Sequence, residues 1–92
     1  MTSQPSYLFA SLRQPDDAGV TALVTFGLVT TEDEVFYLVI RYIDYPNIVE
    51  GDHLYHSLEE VLEAASAEYG IGPPDWRDLS ADEISEVGAN IR

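Results

Sequence analysis

The chain has 92 residues, with 17 acids against 4 basic side chains and a formal charge of −13; it contains no cysteine and no lysine. Charge of this sign repels DNA, RNA and anionic lipid and steers the chain toward basic partners. The missing cysteine excludes a disulfide framework and a thiolate metal site. The length fits one domain over residues 1–92, with 1–5 as a flexible tail. No basic leader opens the chain and its apolar runs are too short to span a bilayer, so a cytoplasmic location is expected.

Residues 6–12 are apolar enough for a first strand, in which either Tyr7 and Phe9 or Leu8, Ala10 and Leu12 can claim the core. Gln14 to Gly19 contains a proline, two aspartates and a glycine, and reads as a turn. Residues 20–30 form the second strand. Val20, Ala22, Val24, Phe26 and Leu28 share its core face, because side chains alternate along an extended chain. Three consecutive acids, Glu32, Asp33 and Glu34, mark the tip of a hairpin. Residues 35–43, Val-Phe-Tyr-Leu-Val-Ile-Arg-Tyr-Ile, form the central strand. Setting Val29 opposite Val35 brings Leu28 to Phe36, Phe26 to Leu38 and Val24 to Ile40. Both core faces then coincide, whereas a slip of one residue would turn one of them to solvent.

Pro46 ends the central strand. Residues 48–51 read as irregular, and 53–56 as a short fourth strand at an edge. Ser57-Leu58-Glu59-Glu60 is a capping box opening a helix over 57–69. Its apolar stripe is Leu58, Val61, Leu62, Ala65 and Tyr69, and Gly70 provides a left-handed cap. A stiff Gly72-Pro73-Pro74-Asp75 connector leads to Trp76. Ser80-Ala81-Asp82-Glu83 is a second capping box, before a C-terminal helix that Gly88 and Asn90 should keep short. The expected fold is α+β: an antiparallel meander of three to four strands, packed on one face by the helix at 57–69, plus the short C-terminal helix.

On that architecture two surfaces carry functional expectations. The first is an acidic and aromatic rim around the helix: Asp44, Tyr45, Glu50, Asp52, Tyr55, Glu59, Glu60, Glu63, Asp75, Trp76 and Asp78. Tyrosine and tryptophan beside carboxylates suit a steered protein-binding hot spot. The second is the outer sheet face, Leu23, Val29, Val35, Tyr37, Val39, Arg41 and Ile43. One helix covers only one side of an antiparallel sheet, so that face is either covered by the C-terminal segment, with Trp76, Leu79, Ile84 and Val87, or, if bare, is a homodimer or partner interface.

Catalytic and cofactor signatures are not found. Glu50, Asp52, His53 and His56 lie close in sequence, which opens a reading as a small metal-binding protein or metalloenzyme. A spacing of three on a strand, however, sends the two histidines to opposite faces. Ser57 beside His56 is a helix cap rather than a nucleophile, because no nucleophile elbow surrounds it. Gly70 and Gly72 follow a helix, with no lysine after them, unlike a phosphate loop. The expectation is a protein that is not an enzyme, with no cofactor and no resident metal.

The run Tyr55-His56-Ser57-Leu58-Glu59-Glu60, through Glu68-Tyr69-Gly70-Ile71 and on to Trp76, resembles segments of small bacterial immunity proteins encoded beside secreted toxins. That resemblance implies a role but no specific binding residues: a cytosolic antidote that occupies a toxin, often a basic nuclease. Charge and size lead to the same class. The expected function is therefore an acidic protein-binding domain that inhibits a basic partner without contacting nucleic acid or membrane. The alternatives are a homodimer through the outer sheet face and a metal-dependent protein using His53 and His56.

Overall fold

The computed structural model of the protein describes residues 5–91; the expected tail therefore lies outside them except for Pro5. The elements run β1 (Tyr7–Ser11), β2 (Ala22–Val29), β3 (Val35–Asp44), β4 (Ile48–Tyr55), α1 (Leu58–Tyr69), a 3-10 turn (Pro73–Asp75), β5 (Arg77–Asp78) and α2 (Ala81–Asn90). The fold is α+β. Its antiparallel sheet has the order β4-β3-β2-β1-β5, a four-stranded meander extended by a two-residue strand on β1.

The central hairpin has the register its alternation demands: Val29 opposite Val35, Leu28 opposite Phe36, Phe26 opposite Leu38 and Val24 opposite Ile40. At the tip, the Thr30 hydroxyl accepts the amides of Glu32 and Glu34. The turn at 14–19 also forms. The Asp16 carboxylate accepts the amides of Ala18 and Val20, each at 2.9 Å, and Gly19 takes the positive φ of 86° that closes it. The ambiguous first strand uses both of its faces. Ala10 and Leu12 join one apolar layer, while Tyr7 and Phe9 join the other.

Each side of the sheet carries its own helix, and this reverses one expectation. α1 packs Val61 and Ala65 against Leu23, Tyr37 and Val39, the face expected to be left to the C-terminal segment or to a partner. α2 packs Val87 and Ile84 against Val24, Phe26, Ile40 and Tyr42, the face expected to receive α1. Leu23 is fully buried and Tyr37 and Val39 nearly so. The dimer face assigned to Leu23, Val29, Val35, Tyr37, Val39, Arg41 and Ile43 is thus the floor of a core layer. Only Val29 and Ile43, at its two ends, are exposed. Both faces of β3 are apolar, so alternation alone could not say which helix takes which.

Local chemistry sets the helix ends. Ser57 accepts the Glu60 amide at 3.2 Å, although Glu60 turns toward the serine hydroxyl rather than completing the box. Gly70 is left-handed with φ 69°, and its amide reaches the Ser66 carbonyl at 3.0 Å. At α2 the Ser80 box is complete in both directions. That helix runs ten residues, longer than the short one expected from Gly88 and Asn90. A Cβ at Gly88 would stand 3.3 Å from Phe26 Cζ, so the glycine that weakens the helix also lets it approach the sheet.

Two further departures follow from packing. β4 begins at Ile48 rather than His53, carrying irregular pairing near Tyr42 that interrupts its alternation. Pro5 is not part of a free tail, because it lies over Gly27 so closely that a Cβ there would collide with it.

Thr25, in β2, is fully buried, and its hydroxyl has no hydrogen-bond partner among the described residues. An unsatisfied buried hydroxyl is costly, and valine fills the same shape without it. Thr25→Val is expected to raise the unfolding free energy by about 1 kcal/mol, measured as a higher urea midpoint at unchanged slope; a lower midpoint would show that the hydroxyl is satisfied.

Candidate functional site

α1 turns its Val61 and Ala65 side into the sheet and leaves Leu58 and Leu62 half-buried along one flank. After the Gly70 cap the chain doubles back, and Ile71 is buried beneath that flank. Pro73 and Pro74 open the 3-10 turn, which the Asp75 carboxylate closes by accepting the Gly72 amide at 2.8 Å. This stiff reversal sets Trp76 alongside α1. Between them runs a groove of about 670 Å³. Its walls are Leu58, Leu62, Ala67, Ile71, Pro73 and Trp76, and Glu59 and Glu63 line it from the helix. The two glutamates are exposed and lie one helical turn apart, roughly 5–6 Å between their Cβ atoms.

The other residues of the expected rim divide among separate places. Glu60 is on the opposite flank of α1, toward Tyr55. Burial raises the Tyr55 phenol above its ordinary pKa, with the negative field of Glu68 second. Glu50 is engaged by the Arg41 guanidinium, Nε to Oε1 at 2.6 Å, and Arg41 lies across Gly51 where a side chain would collide with it. Asp75 is committed to its turn. Asp44, Asp52 and Asp78 are exposed on strands β3, β4 and β5. Glu59, Glu63 and Trp76 are therefore the expected residues that converge on one concave surface.

Tyr45 belongs to the far side of the molecule. Its ring packs on Phe9 and Tyr42, with centroids 4.7 and 5.0 Å away, and its hydroxyl donates to Glu83 Oε2 at 2.7 Å. Glu83 also takes both terminal nitrogens of Arg77, at 2.9 Å each, and the Ser80 amide at 2.9 Å. The Arg77 guanidinium, 4.4 Å from the Phe9 centroid, stacks over that ring. Arg77 foremost, then Ser80 and Tyr45, hold the Glu83 carboxyl well below its ordinary range. Burial, then the bond to Glu83, pushes the Tyr45 phenol far up. This network ties β5, the β3–β4 turn and the start of α2 together, so Tyr45 is a structural residue there.

The histidines do not meet. His53 meets Tyr55 edge-on with centroids 4.7 Å apart, and His56 meets Phe36 edge-on at 5.4 Å. Among the described residues no group of three or more histidine, cysteine, aspartate or glutamate side chains is placed to hold a metal ion. Among them, too, no helix is long and apolar enough to cross a membrane.

Sequence reasoning missed the walls of the groove. Leu58 and Leu62 read as core stripe, Ile71 as folding back on the last turn of the helix, and Pro73 as connector. The available signal was the excess: the stripe of α1 holds more large side chains than one helix can press onto a sheet already covered by Val61 and Ala65. No protein-family model matches the chain, and no curated protein or solved structure matches it either.

Proposed function

We propose that the protein is a non-enzymatic, acidic protein-binding domain that inhibits a basic partner, an immunity protein acting in the cytoplasm against a toxin nuclease. The observation that supports this reading is the groove along α1, where the chain's single tryptophan stands beside two exposed glutamates. A half-buried aromatic in an apolar trough, ringed by charge, is the composition of a binding hot spot. A partner side chain entering it loses water from its apolar part and keeps a cationic end against Glu59 and Glu63. The surrounding field of −13 speeds encounter with a basic surface. On a nuclease such carboxylates take the place of the phosphates that its cationic cleft is built to hold.

The test is inhibition by the captured pair. The protein is immobilised at low salt, and a stoichiometric basic protein is recovered and assayed for nuclease activity with and without the chain. The expected result is full inhibition at one equivalent. Trp76→Ala should weaken the complex at least about tenfold through faster dissociation. Glu59→Gln with Glu63→Gln should slow association and flatten its salt dependence. A captured protein whose activity the chain leaves untouched, or that binds the Trp76→Ala variant equally well, would sink the reading.

A further inference from the structure

The sheet has two unlike edges: β5 has two residues, whereas β4 runs eight, with β3 as its one neighbour among the described residues. The direction of the open backbone groups on β4 follows from hydrogen bonds elsewhere in the ladder. Gly27 donates to Ser6 at 3.0 Å, so the odd residues of β2 point their amides and carbonyls toward β1; Thr21, one residue before the strand, departs from this, its carbonyl accepting from Leu12 and its amide donating to Tyr42, each at 2.8 Å. Thr30 donates to Glu34 at 2.8 Å, so the even ones point toward β3. In an antiparallel ladder these directions alternate. The odd residues of β3 must then face β4, where Tyr37, Val39 and Arg41 stand opposite Tyr55, His53 and Gly51. Asp52 and Leu54 are left with their backbone groups turned outward.

The side chains on this edge describe what would fit it. Leu54 and Asp52 share the α2 side with Val49, because their register partners Leu38, Ile40 and Tyr42 do. Val49 and Leu54 are 50% and 51% exposed, with Asp52 between them. A second copy is a poor occupant. A two-fold axis perpendicular to the sheet pairs residues of equal parity over the regularly paired stretch 51–55, and the register centred there on Asp52 sets Asp52 against Asp52. Like charges directly opposite are destabilising. On the other side of the edge the charges are mixed, with Glu68 and Glu60 acting on Tyr55 against Arg41.

We infer that β4 is a docking edge for an extended, basic strand of another protein, which adds antiparallel to the sheet with apolar residues against Val49 and Leu54 and a lysine or arginine against Asp52. Main-chain bonds to Asp52 and Leu54 supply affinity, and the apolar–basic–apolar alternation supplies selectivity. The edge lies away from the Trp76 groove, and this inference does not depend on the function proposed for that groove.

The probe is a short synthetic peptide alternating valine, threonine and lysine, added to the intact isotope-labelled protein at low salt while amide hydrogen exchange is followed by NMR. The expected result is that exchange at the Asp52 and Leu54 amides slows about tenfold or more. The same peptide N-methylated on the amides that face β4 should produce no slowing. Asp52→Lys, a change at an exposed position, should abolish the effect of the lysine peptide and transfer it to a glutamate counterpart. Trp76→Ala should leave it intact. Binding without slowing at those two amides, equal action of the methylated peptide, or no binding at all would overturn the inference. So would the same protection appearing in concentrated protein alone, which would assign the edge to a second copy.

Discussion

Leu23→Ala is expected to lower the unfolding free energy by about 2–5 kcal/mol, a large part of the stability available to a domain of this size. Leu23 is fully enclosed by the α1 layer, so truncation removes its transfer free energy and leaves a cavity that the stiff strand beneath cannot collapse to fill. Val29 provides the internal contrast. It lies on the same face of the same strand but is 53% exposed, and Val29→Ala should change stability by no more than about 0.5 kcal/mol. Urea denaturation of both variants measures the pair. Equal, small effects would mean that α1 does not seal that face and that a dimer surface is back in play.

Glu83→Gln should cost about 1–2 kcal/mol at neutral pH, even though Arg77 is half-exposed and solvent weakens its pairing. The size comes from convergence: one carboxylate serves Arg77, the Ser80 amide and the Tyr45 hydroxyl, so the variant loosens a helix cap and a cross-sheet tie together. Its pH dependence has a definite sign. The folded carboxyl is held well below its ordinary 4.5. Its contribution is therefore complete above that value and is lost as pH falls from there through the depressed folded value. The stability gap between the native chain and Glu83→Gln should be widest at neutral pH and narrow steadily below about pH 4.5. The gap is the quantity to follow, because protonation of the other carboxylates relieves repulsion and moves both proteins alike. A gap that stays constant down to pH 3 would show that Glu83 acts by shape rather than charge.

The sequence made local events legible where one residue type forces one geometry. Asp16 and Gly19 close their turn, Ser57 and Ser80 start helices, Gly70 ends one, and strict alternation over two strands fixes the hairpin register. It was silent where the outcome depends on relative placement. Phe36, Leu38 and Ile40 on one side of β3 and Tyr37 and Val39 on the other are equally apolar, so the partner of each face was open. The first half of β4 escaped notice because its pairing is irregular from Ile48 to Glu50, with Glu50 left out of the ladder between Val49 and Gly51, which spoils the period-two pattern. For the rim, composition identified acids beside aromatics but not their directions. Glu59 and Glu63 reach Trp76, Glu60 looks the other way, and Tyr45 is drawn across the sheet by a glutamate 38 residues along.

Having both helices follow the meander in the chain bears on how the molecule is made. A ribosome releases β1 to β4 before either cover exists. For that interval Leu23, Tyr37 and Val39 on one side, and Phe26, Ile40 and Tyr42 on the other, are open to every neighbouring nascent chain. α1 closes the first side while the second stays open until α2 emerges. The acids at the hairpin tip, Glu32, Asp33 and Glu34, and those along β4, Glu50 and Asp52, are already present during this period. Like charge at these positions opposes contact between such half-covered sheets.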